Sequence, residues 1–512
     1  MTKTQSSTSS TTTRLGSQAA FFFLGNIFTL LVGWPLQIYV VRIIGADGLG
    51  VFGILEGGVS LIAGLIAFGL APTLVRFIPD HLERGEFTCI RKLVGLGFIV
   101  LLAAGSLTYG LLLWAMPFAS LQWPVLAQHQ AAAIAMGLLI PLGLIIFFLQ
   151  QGLRGFQEIR YMVIGSSFVQ LTVKAALAVL FLSMGFQIVG YVWAVVISVL
   201  CSVVWMAVGL RRKLASLPAS TDDECLGVRN NAWWKFAKIQ YSGSLLGMGM
   251  AYLDRFLLGF LVGAHPVGIL LVVKQLQQLP LVFLQMFLAV ASPMFSAAHA
   301  RNDAEERQII YHLTIDWVVR LSAPLFIFFI LFAEPLLSLY GEEFARQGKY
   351  VLWILLVGQA FNLGCGPVGA MLNMSGTERF VLKLDVYGMV ISTTSVCILV
   401  PYFGLIGAAL AIAITTVLQN CIALWAARTM LKVRWTDRRY LRWILPFAVS
   451  IFTAIAAAIG EREPGPVFLV INLVLLYGVF HGVSLAQGVH SDDRELLSHL
   501  FNRLGLMRKS KQ

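Results

Sequence analysis

Residues 386–427 read VYGMVISTTSVCILVPYFGLIGAALAIAITTVLQNCIALWAA, a run of 42 positions without a charged side chain. A helix needs roughly 20 apolar residues to cross a bilayer core, and lipid gives the backbone no hydrogen-bond partner outside the helix. The run is therefore long enough for two membrane spans that meet near Gly404. It predicts an all-α integral membrane protein.

The rest of the chain has the same character. Of its 512 residues 58% are hydrophobic and only 12% are charged, about half the charged share of soluble proteins. Similar apolar stretches predict about 14 transmembrane helices. Their approximate ranges are 19–40, 51–75, 93–116, 131–151, 163–183, 189–209, 236–262, 267–292, 313–333, 351–373, 384–403, 405–427, 443–460 and 467–487.

The basic residues indicate how these spans are oriented. With an even number of spans, the connections on the side of the N-terminus carry 28 Lys and Arg, and those on the other side carry five. Connections rich in Lys and Arg stay in the cytoplasm, so we expect both termini there. Membrane orientation also accounts for the net charge of +12 without a nucleic-acid partner.

An internal repeat is visible at an offset of 218 residues. The matching positions are Gly45-Ala46, Gly50 and Glu56 in the first part and Gly263-Ala264, Gly268 and Lys274 in the second. A second echo pairs Gly185, Gly190 and Ala194 with Gly404, Gly407 and Ala411. The repeat predicts two six-helix lobes related by a pseudo-twofold axis along the membrane normal, plus two C-terminal helices.

The predicted organisation has six parts. They are a disordered cytoplasmic tail (1–18), an N-terminal six-helix lobe (19–210), a cytoplasmic linker (211–234), a C-terminal six-helix lobe (235–430), helices 13 and 14 (431–488) and a cytoplasmic amphipathic tail (489–512).

Ionisable side chains inside the spans are the candidate site. A charge near the bilayer centre costs at least about 2.5 kcal/mol, so it normally faces a partner or an aqueous cavity. The substrate-binding candidates are Lys174, Lys238, Arg255, Lys274, Gln278 and Gln285, and the candidates for ion coupling or gating are Glu56 and Asp254. Polar side chains can instead hold helices together, and cations near span ends can reach the interface.

Finer patterns guide these assignments. Lys274, Gln278 and Gln285 recur on one face of the predicted eighth span. Glu56 and Lys274 hold equivalent places in the repeat, so they are candidates for an opposed pair. Asp316 and Arg320, four residues apart, are expected to neutralise one another.

Enzyme signals are weak. The chain has no HExxH, GxSxG or P-loop pattern, and its eight histidines are scattered. We therefore predict no catalytic residues, no metal site and no cofactor.

Several phrases resemble those of the Wzx-type polysaccharide flippases, in the multidrug/oligosaccharidyl-lipid/polysaccharide exporter superfamily. They are RIIGADGLGVFGI (42–54), AFGLAPTLVRFI (67–78), LLGFLVGAHPVGILLVVKQL after Asp254, Ser292-Pro293, LYGEEF (339–344), MLNMSGTERF (371–380) and DVYGMVISTTSVCILVPYFGLIGAALAIAITT from Asp385. The order and spacing of these phrases are typical of the superfamily.

The resemblance implies two lobes in a V shape and transport by alternating access. It also implies a cargo of oligosaccharide on a polyprenyl pyrophosphate, whose pyrophosphate is held by cationic residues of the central cavity. By position, Lys274 matches a basic residue and Asp254 an acidic residue of related flippases. It also implies a bacterial inner membrane, with membrane lipid, a polysaccharide polymerase and glycosyltransferases as partners. Two alternatives stay open: a multidrug or cation antiporter of the same superfamily, and a non-transporting scaffold of a polysaccharide assembly complex.

Overall fold

The structure, a computed structural model, describes residues 2–218, 232–460 and 465–488. Within these ranges the regular elements are helices, and no β-strand occurs. The predicted all-α class is therefore confirmed. Most of the predicted linker and the whole amphipathic tail 489–512 lie outside the described residues.

The predicted membrane character is confirmed as well. Eleven helices of the described ranges are long and apolar enough to cross a membrane, or twelve if Glu342–Cys365 and Val368–Met374, which meet at a 43° bend, form one span. Large apolar side chains cover the outside, as shown by Leu121 at 85% and Ile459 at 78% exposure. The count of fourteen spans stays a prediction.

Two helices are more than twice as long as one membrane crossing requires. They are Leu24–Ile66, the apolar part of Thr2–Ile66, and Glu378–Met430. Each is broken at a glycine with positive φ, Gly45 at 67° and Gly404 at 54°. Only glycine adopts this conformation readily, and both breaks fall where the sequence predicts a turn between two spans.

The chain divides into two compact units, of which the first comprises Met1–Val272 and Met389–Ala411. A buried cluster that includes Leu74, Ile78, Phe148 and Met206 forms part of its core. Its helices are Thr2–Ile66, Leu70–Arg84, Phe87–Gln122, Pro124–Gln128, Gln130–Gly137, Leu139–Gly155, Ile159–Val163, Gln170–Ser183, Gln187–Ala215, Ala232–Leu261, the first part of Ala264–Gln278 and the middle of Glu378–Met430, with a π-helix at Ile164–Val169.

The first helix begins at Thr2, inside the segment 1–18 whose polar composition predicts a disordered tail. The division of the chain into a tail and lobes stays a prediction. Extending an existing helix adds one hydrogen bond for each residue fixed, whereas a new helix must first nucleate. The apolar span that follows therefore supports helix in a segment whose composition alone does not.

The two glycine motifs of the repeat pack against each other in this unit. A Cβ atom at Gly50 would collide with the carbonyl oxygen of Ala264, and one at Gly268 would collide with that of Ala46. The helices that follow Gly45 and Gly263 thus cross backbone to backbone at equivalent positions. This reciprocal contact is consistent with the predicted repeat.

The second unit comprises Val273–Gly388 and Ile412–Gln512. Its core includes Phe295, Tyr311 and Met371. Its helices are the end of Ala264–Gln278, Leu281–Ala300, Ala304–Leu331, Ala333–Ser338, Glu342–Cys365, Val368–Met374, the two ends of Glu378–Met430, the 3₁₀ helix Arg438–Trp443, Ile444–Gly460 and Pro466–Ala486. The lobe boundaries given above stay a prediction.

The expected pairing of Asp316 with Arg320 is confirmed in this unit. The two side chains form an ion pair one turn apart on the helix Ala304–Leu331. Asp316 also accepts a hydrogen bond of 2.9 Å from the indole N–H of Trp443. The carboxylate therefore connects this helix to the end of the 3₁₀ helix Arg438–Trp443, directly before the helix Ile444–Gly460.

Candidate functional site

A cluster of charges lies around Glu56 in the first unit. Nη1 of Arg255 donates a hydrogen bond of 2.8 Å to the Glu56 carboxylate. The Arg255 side chain is 16% exposed and that of Glu56 is 38% exposed. The guanidinium also lies over the ring of Tyr252, 4.6 Å from its centroid, so both the carboxylate and the aromatic face hold it in place.

Lys174 belongs to the same cluster. It is half-buried and interacts electrostatically with Glu56. The π-helix Ile164–Val169 directly precedes its helix, Gln170–Ser183, and π turns within helices are frequent at functional sites. Two cations thus interact with one carboxylate, so these three groups together carry a net positive charge.

Small residues let the helix Ala232–Leu261 approach Glu56 closely. A Cβ atom at Gly57 would lie 3.5 Å from Cγ of Arg255, and one at Gly58 would lie 3.4 Å from the Phe256 ring. Nearer the other end of the contact, the hydroxyl of Tyr241 donates a hydrogen bond of 2.6 Å to the carbonyl of Leu65. These contacts fix the position of Arg255 beside Glu56.

An apolar groove of about 600 Å³ runs beside the charged cluster. Phe256, the residue after Arg255, forms part of its wall, and the Trp123 ring stands edge-on to Phe256 at 5.4 Å. Thr108 is the one residue with a side-chain hydroxyl among its lining. The other lining residues are Ile54, Leu55, Gly58, Val59, Leu61, Ile62, Leu111, Leu112, Ala115, Met116, Ala119, Leu126 and Ala133.

Asp254 points away from this groove. It is 6% exposed and lines a small recess together with Ser392 and Thr393. Its carboxylate accepts a hydrogen bond of 2.7 Å from the backbone N–H of Arg255. Carboxylate and hydroxyl oxygens are the kinds of ligand that hard cations bind.

The other predicted site residues lie elsewhere. Lys238 is exposed near the start of the helix Ala232–Leu261, whereas Lys274 is half-buried in the second unit. Gln278 and Gln285 are both exposed, but the helix is interrupted at residues 279–280 between them. The prediction that Gln285 lies on one face with Lys274 requires an unbroken helix between them, and the structure has a break there.

Two features of these helices have no signal in the sequence. Gln277 is buried, and its amide donates a hydrogen bond of 2.8 Å to the Gln359 side chain, whereas the sequence pattern favours its neighbour Gln278. The ion pair between Glu56 and Arg255 joins residues 199 positions apart. Because the repeat aligns Glu56 with Lys274, no pattern in the sequence indicated Arg255 as its partner.

Comparison with known proteins agrees with this architecture. A sequence model for a family described as "Polysaccharide biosynthesis protein" matches residues 15–299. None of the curated proteins matches the chain in sequence.

Several solved structures share the fold. The lipid II flippase MurJ in its inward closed conformation superposes with a TM-score of 0.64 at 12% identity, over 91% of this chain and 99% of that one. An inward-facing multidrug resistance MATE family transporter of the MOP superfamily gives 0.61 at 18% identity, over 79% and 94%. A MOP superfamily transporter from Pyrococcus furiosus gives 0.54 at 16% identity, over 82% and 95%. The expected fold is confirmed.

Proposed function

Because the chain belongs to the polysaccharide biosynthesis protein family, we propose that it is a flippase that moves a polyprenyl-pyrophosphate-linked oligosaccharide across the membrane. The glycan would be a unit of an O-antigen, a capsule or an exopolysaccharide. Transport would proceed by alternating access, with both termini in the cytoplasm of a bacterial cell and the chain in its inner membrane. A polysaccharide polymerase and glycosyltransferases are the expected partners.

One observation carries this proposal: a half-buried guanidinium, that of Arg255, lies beside an apolar groove of about 600 Å³. A polyprenyl pyrophosphate has the matching chemistry, an anionic head on a long hydrocarbon chain. Arg binds phosphate oxygens through paired N–H donors, and the groove accepts part of the chain by burying apolar surface. Multidrug cations lack the anionic head.

The remaining polar residues would act on the head and the sugars. Lys174 adds a second positive charge near Arg255, and Lys238 and Lys274 provide further cations. Gln278 and Gln285 carry amides that both donate and accept hydrogen bonds, as recognition of sugar hydroxyls requires. Glu56 would hold Arg255 until the pyrophosphate arrives and then release it.

Asp254 would take part in ion coupling. A buried carboxylate beside two hydroxyl groups, those of Ser392 and Thr393, is suited to a proton or a small cation. Binding of that ion would favour one conformation over the other and so give the transport cycle a direction.

The proposal is tested with cells that lack the protein or carry Arg255→Gln, compared with Lys92→Gln, which removes an exposed charge outside the cluster. Mass spectrometry of lipid extracts measures polyprenyl-linked glycans, and a glycosidase added outside shows which side of the membrane they occupy. We expect a completed glycan, protected from the external glycosidase, to accumulate in cells without the protein and in cells with Arg255→Gln, but not in cells with Lys92→Gln.

Other outcomes favour the alternatives. If no glycan accumulates and surface polymer is unchanged, the proposal fails in favour of a multidrug or cation antiporter. If the glycan accumulates without the protein but crosses normally with Arg255→Gln, Lys174→Ala and Lys274→Ala at wild-type protein levels, a scaffold role is favoured.

A further inference from the structure

The connector between the helices Glu378–Met430 and Ile444–Gly460, residues 431–443, is rich in basic residues. It holds Lys432, Arg434, Arg438, Arg439 and Arg442 against one acidic residue, Asp437. Asp437 pairs with Arg439 at 3.2 Å. The side chains of Arg434, Arg438 and Arg442 are exposed and form no ion pair or hydrogen bond with any described residue.

The connector is fixed to the helices beneath it. The Gln308 amide donates a hydrogen bond of 2.7 Å to the backbone carbonyl of Arg434 and accepts one of 2.8 Å from its backbone N–H. The indole N–H of Trp435 donates to the carbonyl of Gly364 at 3.0 Å, and that of Trp443 donates to Asp316. A connector held at three points presents its outward guanidinium groups in a defined arrangement.

An apolar groove of about 610 Å³ begins where the connector is attached. Trp443 and Gly364 both line it, so the two tryptophan anchors lie at this end. Ser322 contributes its one hydroxyl group. The rest of the lining is Val319, Ala323, Phe326, Ile327, Ile330, Leu331, Trp353, Leu356, Val357, Ala360, Leu363, Phe447 and Ile451.

We propose that this groove and the guanidinium groups of Arg434, Arg438 and Arg442 form a binding site for an anionic phospholipid of the bilayer. The phosphate and headgroup would bind the arginines, and one acyl chain would occupy the groove. Basic pockets between transmembrane helices bind anionic lipid headgroups in this way, and tryptophan and tyrosine favour the membrane interface. Here Tyr440 and Trp443 stack at 4.4 Å beside the arginines.

A phospholipid of the bilayer matches both parts of the site. Its charged headgroup lies at the membrane surface, where the exposed arginines of the connector can reach it, and its acyl chain is as apolar as the groove. The orientation rule for basic loops accounts for the charge of the connector but not for a groove that starts at its anchors. The site does not depend on the proposed cargo.

Native mass spectrometry of the full chain tests this site. The detergent-purified protein is titrated with phosphatidylglycerol and with phosphatidylethanolamine of the same acyl chains. We expect phosphatidylglycerol to bind roughly tenfold more tightly, and this preference to fall at high salt because exposed charges are screened.

Two variants separate the headgroup and chain contributions. Arg438→Gln combined with Arg442→Gln should abolish the preference for phosphatidylglycerol. Ala360→Phe fills the groove, so it should lower the affinity for both lipids about tenfold. The matched controls are Arg379→Gln with Lys383→Gln, which removes two exposed cations elsewhere in the unit, and Ala458→Phe, at an exposed position of the helix Ile444–Gly460 outside the groove.

Three outcomes would overturn the proposal. The first is equal affinity of the wild type for the two lipids. The second is a loss of lipid affinity in the control variants as large as in the test variants, and the third is unchanged lipid affinity in Ala360→Phe. The groove would be assigned to the glycan carrier instead if a polyprenyl diphosphate binds more tightly than phosphatidylglycerol and both test variants lose this binding. Unchanged melting temperatures in the variants show that any loss is not due to unfolding.

Discussion

Gly50 and Gly268 lie at reciprocal positions of one helix crossing, where each faces a backbone carbonyl of the other helix. We expect Gly50→Ala or Gly268→Ala to destabilise the protein by about 1–3 kcal/mol, the usual cost of overpacking. Thermal unfolding in detergent measures this loss. Gly110→Ala is the control, because a Cβ atom at Gly110 meets nothing within 4 Å, and an equal effect there would contradict the crossing.

The ion pair of Glu56 with Arg255 distinguishes the two transport hypotheses. Glu56→Gln removes the negative charge of the cluster but keeps a hydrogen-bond acceptor for Arg255. If the substrate is a pyrophosphate, the variant should bind a soluble polyprenyl diphosphate analogue more tightly, because Arg255 and Lys174 then act without an opposing charge. A cation antiporter should instead lose affinity for its substrate, so titration of the purified variant with both ligands gives opposite signs.

Lys174 and Lys274 are the deepest cations that the sequence indicates. We expect Lys174→Ala and Lys274→Ala to leave the protein level unchanged and to reduce glycan export roughly tenfold or more, the loss of one charged hydrogen bond. Lys→Arg at either site should keep part of the activity because the charge remains. Protection of the glycan from external glycosidase measures export. Normal export in both alanine variants would exclude the cationic-site hypothesis.

Asp254 provides the test of ion coupling. We expect Asp254→Asn to abolish the dependence of export on the coupling ion, and Thr393→Val to weaken it by removing one hydroxyl from the recess. Export is measured while sodium and the proton gradient are varied independently. Thr394→Val removes a hydroxyl from the next residue, which does not line the recess. The assignment fails if the two threonine variants behave alike.

The fold was largely predictable because lipid imposes simple rules. Apolar length indicates a span, and glycines such as Gly45 and Gly404 mark the turns because the chain needs positive φ there. Asp316 and Arg320 were predictable for a similar reason, since both lie on one helix with a fixed geometry. Local rules of this kind need no knowledge of the tertiary structure.

The site was only partly predictable. Depth and charge indicated Glu56, Lys174 and Arg255 separately, but their association depends on which helices pack together. Tertiary packing also decides that Gln277 is buried while Gln278 is exposed, because a shift of one residue turns a side chain by about 100° around the helix. The apolar groove lined by Phe256 is formed by residues of several helices, and no sequence motif marks them.

The contact of Asp316 with both Arg320 and Trp443 predicts an energetic coupling. Asp316→Ala leaves a partly buried guanidinium and an indole N–H without this acceptor, so we expect a loss of about 3 kcal/mol in the free energy of unfolding. The double variant, Asp316→Ala with Arg320→Ala, should lose less stability than Asp316→Ala alone, because the guanidinium that has lost this carboxylate is then removed too. Thermal unfolding in detergent of the double variant and of the single variants Asp316→Ala and Arg320→Ala gives the interaction energy as a double-mutant cycle. Strict additivity would show that the carboxylate and the guanidinium stabilise the unit independently.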